Sequence, residues 1–214
     1  MKTLVSRRQA LATRSYRVSV IIAIIAVLSL LAAALVHAFD TTIVRSIADQ
    51  RSAGLVDTCT TLSQQGGFVT IMVVTTALGL VASYYLQTLR ALLATLVTVA
   101  LTSGMTTVLK NIFRRPRPDN PIAVYHVNGY SFPSGHSSIT MSLAVAIILL
   151  LATSRSVPGR WLVATATVLV TIAAAIGLSR PCLGVHYPSD VLGGWTVGAL
   201  CALLVVHGVM RPAT

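Results

Sequence analysis

The sequence predicts an all-α polytopic membrane protein: six transmembrane helices, with short helices in the first outer loop. Three observations carry that prediction. Of 214 residues, 55% are hydrophobic and 10% charged, against about 25% charged in a soluble domain, and the mean hydropathy is +0.81. The apolar residues fall in runs close to the roughly 20 residues that cross a bilayer as a helix. The basic residues gather at the ends of those runs, where they act as topology signals and contacts for anionic headgroups. Sixteen Lys and Arg stand against five acidic residues, all Asp, for a net charge of +11. In a soluble chain that excess would suggest nucleic acid. Here aromatic interleaving is absent, and no nucleic-acid partner is expected.

The spans are predicted over residues 18–39, 68–86, 91–109, 138–152, 161–178 and 191–210. Arg7-Arg8 before the first apolar run, with Val36-His37-Ala38 after it, has a secretory look. The run exceeds the 7–15 residues of a signal core, so it is read as an uncleaved first helix. The next segment, 40–66, places Ile43, Ile47, Leu55, Cys59 and Leu62 at spacings that suggest short helices on the membrane face. The span at 138–152 is short unless the turn Pro133–His136 is sunk into the interface. Irregular backbone is tolerated at that depth where it lines a cavity, so the short span points to a site. Gly193-Gly194 is expected to permit close helix packing. No internal repeat or second domain is visible, and residues 1–214 are read as one domain.

Orientation follows from Lys and Arg in short loops. Lys2, Arg7, Arg8, Arg14 and Arg17 place the N-terminus in the cytoplasm. Six spans return Arg211 to the same side, with Arg90, Arg155 and Arg160. The chain is therefore expected in the cytoplasmic membrane with both termini inside. Residues 40–66, 110–131 and 180–190 then lie outside. Lys110, Arg114, Arg115, Arg117 and Arg180 break the charge rule there, which suggests another use for them. Cys59 and Cys182 are placed in loops on that outer side, but spacing alone does not establish a bridge. The cysteines and histidines show no metal-binding spacing, and neither metal nor cofactor is expected.

Three polar clusters stand at the ends of spans. Lys110 precedes Arg117-Pro118 as K-x6-R-P. Pro133-Ser134-Gly135-His136 opens the fourth span. Ser179-Arg180 leads to His186 and Asp190 as S-R-x5-H-x3-D. The topology puts all three at one membrane face. Phosphoryl transfer is largely positioning and electrostatic stabilisation. Arginine forks match phosphate oxygens, and lysine adds a point charge, which suits Lys110, Arg117 and Arg180. Ser134 and Gly135 put backbone N–H groups of a helix start near an anion. Two histidines allow a two-step route, one attacking phosphorus and one protonating the departing oxygen. A carboxylate on the nucleophile's second nitrogen fixes its tautomer, and Asp190, four residues after His186, fits either one helical turn or a loop folding onto a helix start.

K-N-I-F-R-R-P-R-P, P-S-G-H and S-R-P-C-L-G-V-H-Y-P-S-D resemble the three signature motifs of the type 2 phosphatidic acid phosphatase (PAP2) family. The resemblance implies that His186 is the nucleophile that forms a phosphohistidine and that Asp190 orients it. It implies that His136 is acid for the leaving group and then base for water. Lys110, Arg117, Ser134, Gly135 and Arg180 would hold the phosphate, with no metal. Pro181 and Cys182 depart from the apolar-aromatic pair commoner at those positions, without removing a catalytic atom.

The expected activity is a lipid phosphatase at the outer face, with undecaprenyl diphosphate as first substrate and phosphatidylglycerol phosphate or phosphatidic acid as alternatives. A lipid-to-lipid phosphotransferase would carry the same motifs. An anion transporter is disfavoured because no span centre carries charge. The partners implied are the bilayer and its lipid phosphate, with no obligatory protein. Around the motifs, Arg114 and Arg115 are expected at the headgroup surface. Tyr125, His126 and Tyr130 either line the substrate entrance or pack the loop. Ser179 caps a turn, and His37 and His207 are structural.

Overall fold

The computed structural model describes residues 2–119, 122–154 and 156–210, and of residues 2–8 and 10 the backbone alone. Arg155, Arg211 and the side chains of Lys2, Arg7 and Arg8, which enter the topology argument, lie outside the described residues. Eight helices and no strand occur among the described residues: α1 (Lys2–His37), α2 (Asp40–Gln50), α3 (Ala53–Gln65), α4 (Phe68–Leu86), α5 (Arg90–Phe113), α6 (Gly135–Thr153), α7 (Gly159–Cys182) and α8 (Pro188–Met210). Six of them, all but α2 and α3, are long and apolar enough to span a membrane. The two short helices fill the loop where the sequence placed them.

Helix ends differ from the apolar runs because helices outlast the hydrocarbon they cross. α1 starts well before residue 18, and Arg14 Nη1 in its polar part donates to Val157 O at 2.9 Å. α7 continues beyond residue 178 through Arg180 and ends at Cys182. Its Pro181 sits in the last turn and withholds one bond from the carbonyl four residues back, one residue before the helix ends. Arg180 and Cys182 are therefore helical, where the sequence placed Cys182 in a loop; Cys59 lies in α3, one of the two short helices expected there. Arg51, at the α2–α3 corner, donates to Cys182 O (3.0 Å) and Ile122 O (2.7 Å). It supplies the cation that a helix C-terminus favours.

α6 is the axle of the bundle. Its spanning window is 78% buried against 17% for α1, and Leu143–Ala152 form an unbroken buried run. α8 lies closest to it, because Gly194 and Gly198 present no side chain. A Cβ on Gly198 would stand 2.2 Å from Ser138 O, and one on Gly194 would stand 2.8 Å from Ser134 O. This is small-xxx-small packing, with Gly193 pressed instead against Phe132. Between α4 and α7 two apolar hollows of about 280 and 440 Å³ share Leu78 and Leu169 and rest on Thr140, Leu143, Ala144, Ile147 and Leu151 of α6.

Candidate active site

The three clusters converge at one end of the bundle, and the local folding shows how. α8 begins with Pro188, whose fixed φ and missing N–H suit a first helical position. Asp190, two residues on, turns its carboxylate back so that Oδ2 accepts from Tyr187 N at 2.9 Å. That is the reciprocal half of a capping box, and it aims the same oxygen at His186. His186 Nδ1 lies 3.3 Å from Asp190 Oδ2 and 3.4 Å from Ser131 Oγ, which itself donates a short hydrogen bond to Asp190. On the other edge of the ring, Arg117 Nη1 donates toward His186 Nε2 at 3.0 Å. A neutral imidazole meets both neighbours in one tautomer, with the proton on Nδ1 and the lone pair on Nε2.

Lys110 is at the last turn of α5 and donates to Tyr130 O (2.6 Å) and Ser131 O (3.1 Å). Arg117 also donates to Gly129 O (3.0 Å) and Val185 O (2.7 Å). Ser134 N donates to Asp190 O at 2.9 Å, which ties the start of α6 to the start of α8. The first N–H groups of α6, from Gly135 on, have no acceptor within the helix. The return loop is held by Gly184, at φ +69°, where a Cβ would come 2.3 Å from Ile122 O. Only glycine fits that approach.

Arg180 is 3% exposed. Its Nη1 donates to Tyr125 Oη at 2.8 Å and in a short contact to Ser63 Oγ, while its Nε is buried without a partner. Tyr125 and His126 line a hollow of about 370 Å³ beside Arg117 and Asn128. His136 packs against Gly66 at the α3–α4 corner, where a Cβ would meet its ring at 2.5 Å.

Burial pushes the His186 imidazole down to about 3; the Arg117 and Arg180 charges add to that, and Asp190 opposes it. Burial and the charge of Arg180 likewise hold Arg117 below its ordinary range. Two like charges kept this close in a part-buried site favour an anion between them.

The structure also corrects the reading of Arg115. Arg115 is not at the headgroup surface. It donates to Asp190 Oδ1 and to Asp40 Oδ2, both at 2.7 Å, and its guanidinium lies 4.1 Å over the Tyr187 ring. Arg114 takes the left-handed conformation that ends α5, at φ 45°. The turn leaves Arg114 exposed and sends its neighbour inward. His37, read as structural, stands 3.4 Å from Asp40. Asp40, Ser63 and Gly66, from the hairpin of α2 and α3, were not foreseen. Cys59 and Cys182 are unpaired and buried, in a small cluster with Leu183 and Val185. Burial first, then Cys182, pushes the Cys59 thiol up to about 12, so it stays protonated.

The family model described as PAP2 superfamily matches residues 91–212, more than half of the chain. The chain belongs to the PAP2 superfamily. The match covers α5 to α8 and all three motifs, and leaves the hairpin of α2 and α3 outside it. The fold is similar to that of the transmembrane PAP2-type phosphatidylglycerolphosphate phosphatase of Bacillus subtilis, with TM-score 0.72 and 27% identity over 86% of this chain and 92% of that one. A decaprenylphosphoryl-5-phosphoribose phosphatase of Mycobacterium tuberculosis is 36% identical over 101 residues, 46% of this chain and 50% of its own. Phosphatidylglycerophosphatase B of Bacillus subtilis is 37% identical over 98 residues, 46% and 48% of the two chains. This PAP2 chain thus spans about half the length of the curated relatives it matches. With its six spans, it is a multi-pass membrane protein.

Proposed function

We propose that the chain hydrolyses a membrane lipid phosphate or diphosphate through a phosphohistidine intermediate. One observation carries the reading: Asp190 and Arg117 orient a buried, neutral His186 with its Nε2 lone pair facing a cluster of cations, one of which, Arg180, keeps a buried N–H unpaired. In the first step Nε2 bonds to phosphorus as the bond to the lipid oxygen breaks. His136 gives that oxygen a proton. The imidazolium formed at His186 is stabilised by Asp190. In the second step His136 takes a proton from water, whose oxygen attacks phosphorus, and the P–N bond breaks to release phosphate. Lys110, Arg117, Arg180, the Ser134 hydroxyl and the N–H opening α6 at Gly135 hold the equatorial oxygens.

The lipid is proposed to reach the site sideways, its tail in the trough between α4 and α7. Thr140 on the trough floor is one helical turn from His136. A polyprenyl-linked phosphate is the first class to test, with undecaprenyl diphosphate as the first compound, and the polyprenyl lipid named for the Mycobacterium relative supports that class. Phosphatidylglycerol phosphate is the second reading, favoured by likeness to the Bacillus structure over most of both chains. The site is proposed to face the outside of the cytoplasmic membrane, as the basic N-terminal segment implies.

The deciding measurement is release of inorganic phosphate from a panel of purified lipids. Turnover of at least one of them, abolished in a folded His186→Ala protein, is the expected result. Retained turnover in His186→Ala would remove the mechanism. Turnover of phosphatidylglycerol phosphate with none of any prenyl substrate would remove only the preferred substrate. Because side-chain cations do the work that metals do in other phosphatases, activity should survive EDTA and yield to vanadate.

A further inference from the structure

A second layer of charge stands behind Asp190, and no motif accounts for it. Asp40, the first residue of α2, is 1% exposed. Its carboxylate accepts from Arg115 Nη2 at 2.7 Å, from Ser189 N at 3.0 Å and from Ser189 Oγ in a short contact. Arg115 Nη1 also donates to Ser189 Oγ at 2.7 Å, and to Asp190 at 2.7 Å. Arg115 thus lies between two buried carboxylates, each 75 residues away along the chain, one on either side.

We infer that Asp40 is a positioning residue for the reaction: it neutralises Arg115, so that Asp190 keeps a full negative charge for His186. The inference rests on the proposed role of His186. Arg115 alone against Asp190 would form a closed neutral pair. It would fix the carboxylate in place and cancel its field at the imidazole. With Asp40 the three groups sum to one negative charge, and Arg115 holds Asp190 without cancelling it. Burial strengthens the effect, because the interactions are poorly screened.

The other charged and titratable groups around these residues are few. Arg117 and Arg180 face His186, Lys110 lies within reach of the Asp190 charge, the Tyr187 phenol lies under Arg115, and His37 on α1 stands 3.4 Å from Asp40. Arg117 and Arg180 oppose an imidazolium at His186, which makes the compensation of the third arginine matter more. Asp40 lies outside the residues matched by the family model, so this helper comes from the hairpin of α2 and α3 and not from the motif region.

The test separates charge from shape. Asp40→Asn keeps the size and most hydrogen bonds of the side chain and removes its charge. It should lower kcat on the preferred lipid phosphate about tenfold or more, with KM little changed, because the lost interaction strengthens as His186 becomes cationic. Arg115→Gln added to Asp40→Asn removes both charges and should recover part of that loss. A purely architectural network predicts that the double variant is as poor as, or worse than, Asp40→Asn alone.

The second readout needs no turnover. In 15N-histidine NMR of the detergent-solubilised protein, Arg115→Gln should raise the His186 protonation midpoint by about one pH unit. The double variant should return it toward the wild-type value. Wild-type kcat in Asp40→Asn, or an unmoved midpoint in Arg115→Gln, overturns the inference. If Asp40→Asn does not fold, the Arg115→Gln midpoint alone decides. If the wild-type protein cleaves no lipid phosphate, the proposed function fails, while the NMR arm still reports whether Arg115 and Asp40 set the field at His186.

Discussion

His186 is held neutral by burial, and this has a measurable effect on stability. Its folded value is about 3, against roughly 6.5 in an unfolded chain. As pH falls below about 6.5 the unfolded chain takes up a proton that the folded protein refuses until about 3. The contribution is complete above the upper value and is lost progressively through that window. Thermal unfolding in detergent should show the loss, and His186→Gln should shrink the acid dependence. Arg180 gives the sharper kinetic prediction. One nitrogen of its fork is committed to Ser63 and Tyr125, and Nε is left for an anion. A lysine cannot supply two separated donors. Arg180→Lys should lose on the order of a hundredfold in kcat, while Arg114→Ala, at an exposed helix end, should lose little. A loss in Arg114→Ala as large as that in Arg117→Ala would mean that the first motif is placed wrongly.

The motif residues were legible because their spacing survives in one dimension: each cluster sits at a helix end, and helix ends can be read from apolar runs. The hairpin residues carry no such signal. Asp40, Ser63 and Gly66 are isolated letters in a polar stretch, and only the docking of α2 and α3 gives them neighbours. Arg114 and Arg115 are indistinguishable by type, and a single left-handed backbone step decides which one turns inward. The corner between α3 and α4 offers a test at this scale. A methyl on Gly66 would drive into the His136 ring. Gly66→Ala should therefore displace the proposed acid and lower kcat by tenfold or more. The loss should be milder for substrates whose leaving group departs without a proton. An equal loss on both would point to general disruption instead.

For the whole molecule, the apolar runs identified all six spans, and the charge pattern supports an orientation that labelling can check. In a protein with its native cysteines replaced by serine, a cysteine at Asn128 should react with an impermeant thiol reagent in intact cells. One at Ser156 should not. The opposite pattern would reverse the proposed orientation. What the sequence could not show is depth of burial. Residues 138–152 looked like the weakest span, too short alone, yet α6 is the most enclosed helix. The helix begins at Gly135, ahead of the apolar run, and Ser137, Ser138, Thr140 and Ser142 are buried against protein, so the added length exposes no hydroxyl of theirs to lipid.

The glycine notches of α8 make the spacing of the site a matter of helix register. Gly198 lies about 15 Å along α8 from Pro188, near the middle of a bilayer core about 30 Å thick, and touches no polar side chain of the site. It nonetheless seats α8 against α6 at the height where Asp190 O meets Ser134 N. Sliding one helix past the other by a single turn, about 5.4 Å, would carry the orienting carboxylate away from the phosphate cradle with every motif residue intact. Gly198→Leu should thus abolish turnover from the membrane midplane while leaving six helices in the bilayer, a result readable by circular dichroism beside the phosphate-release assay.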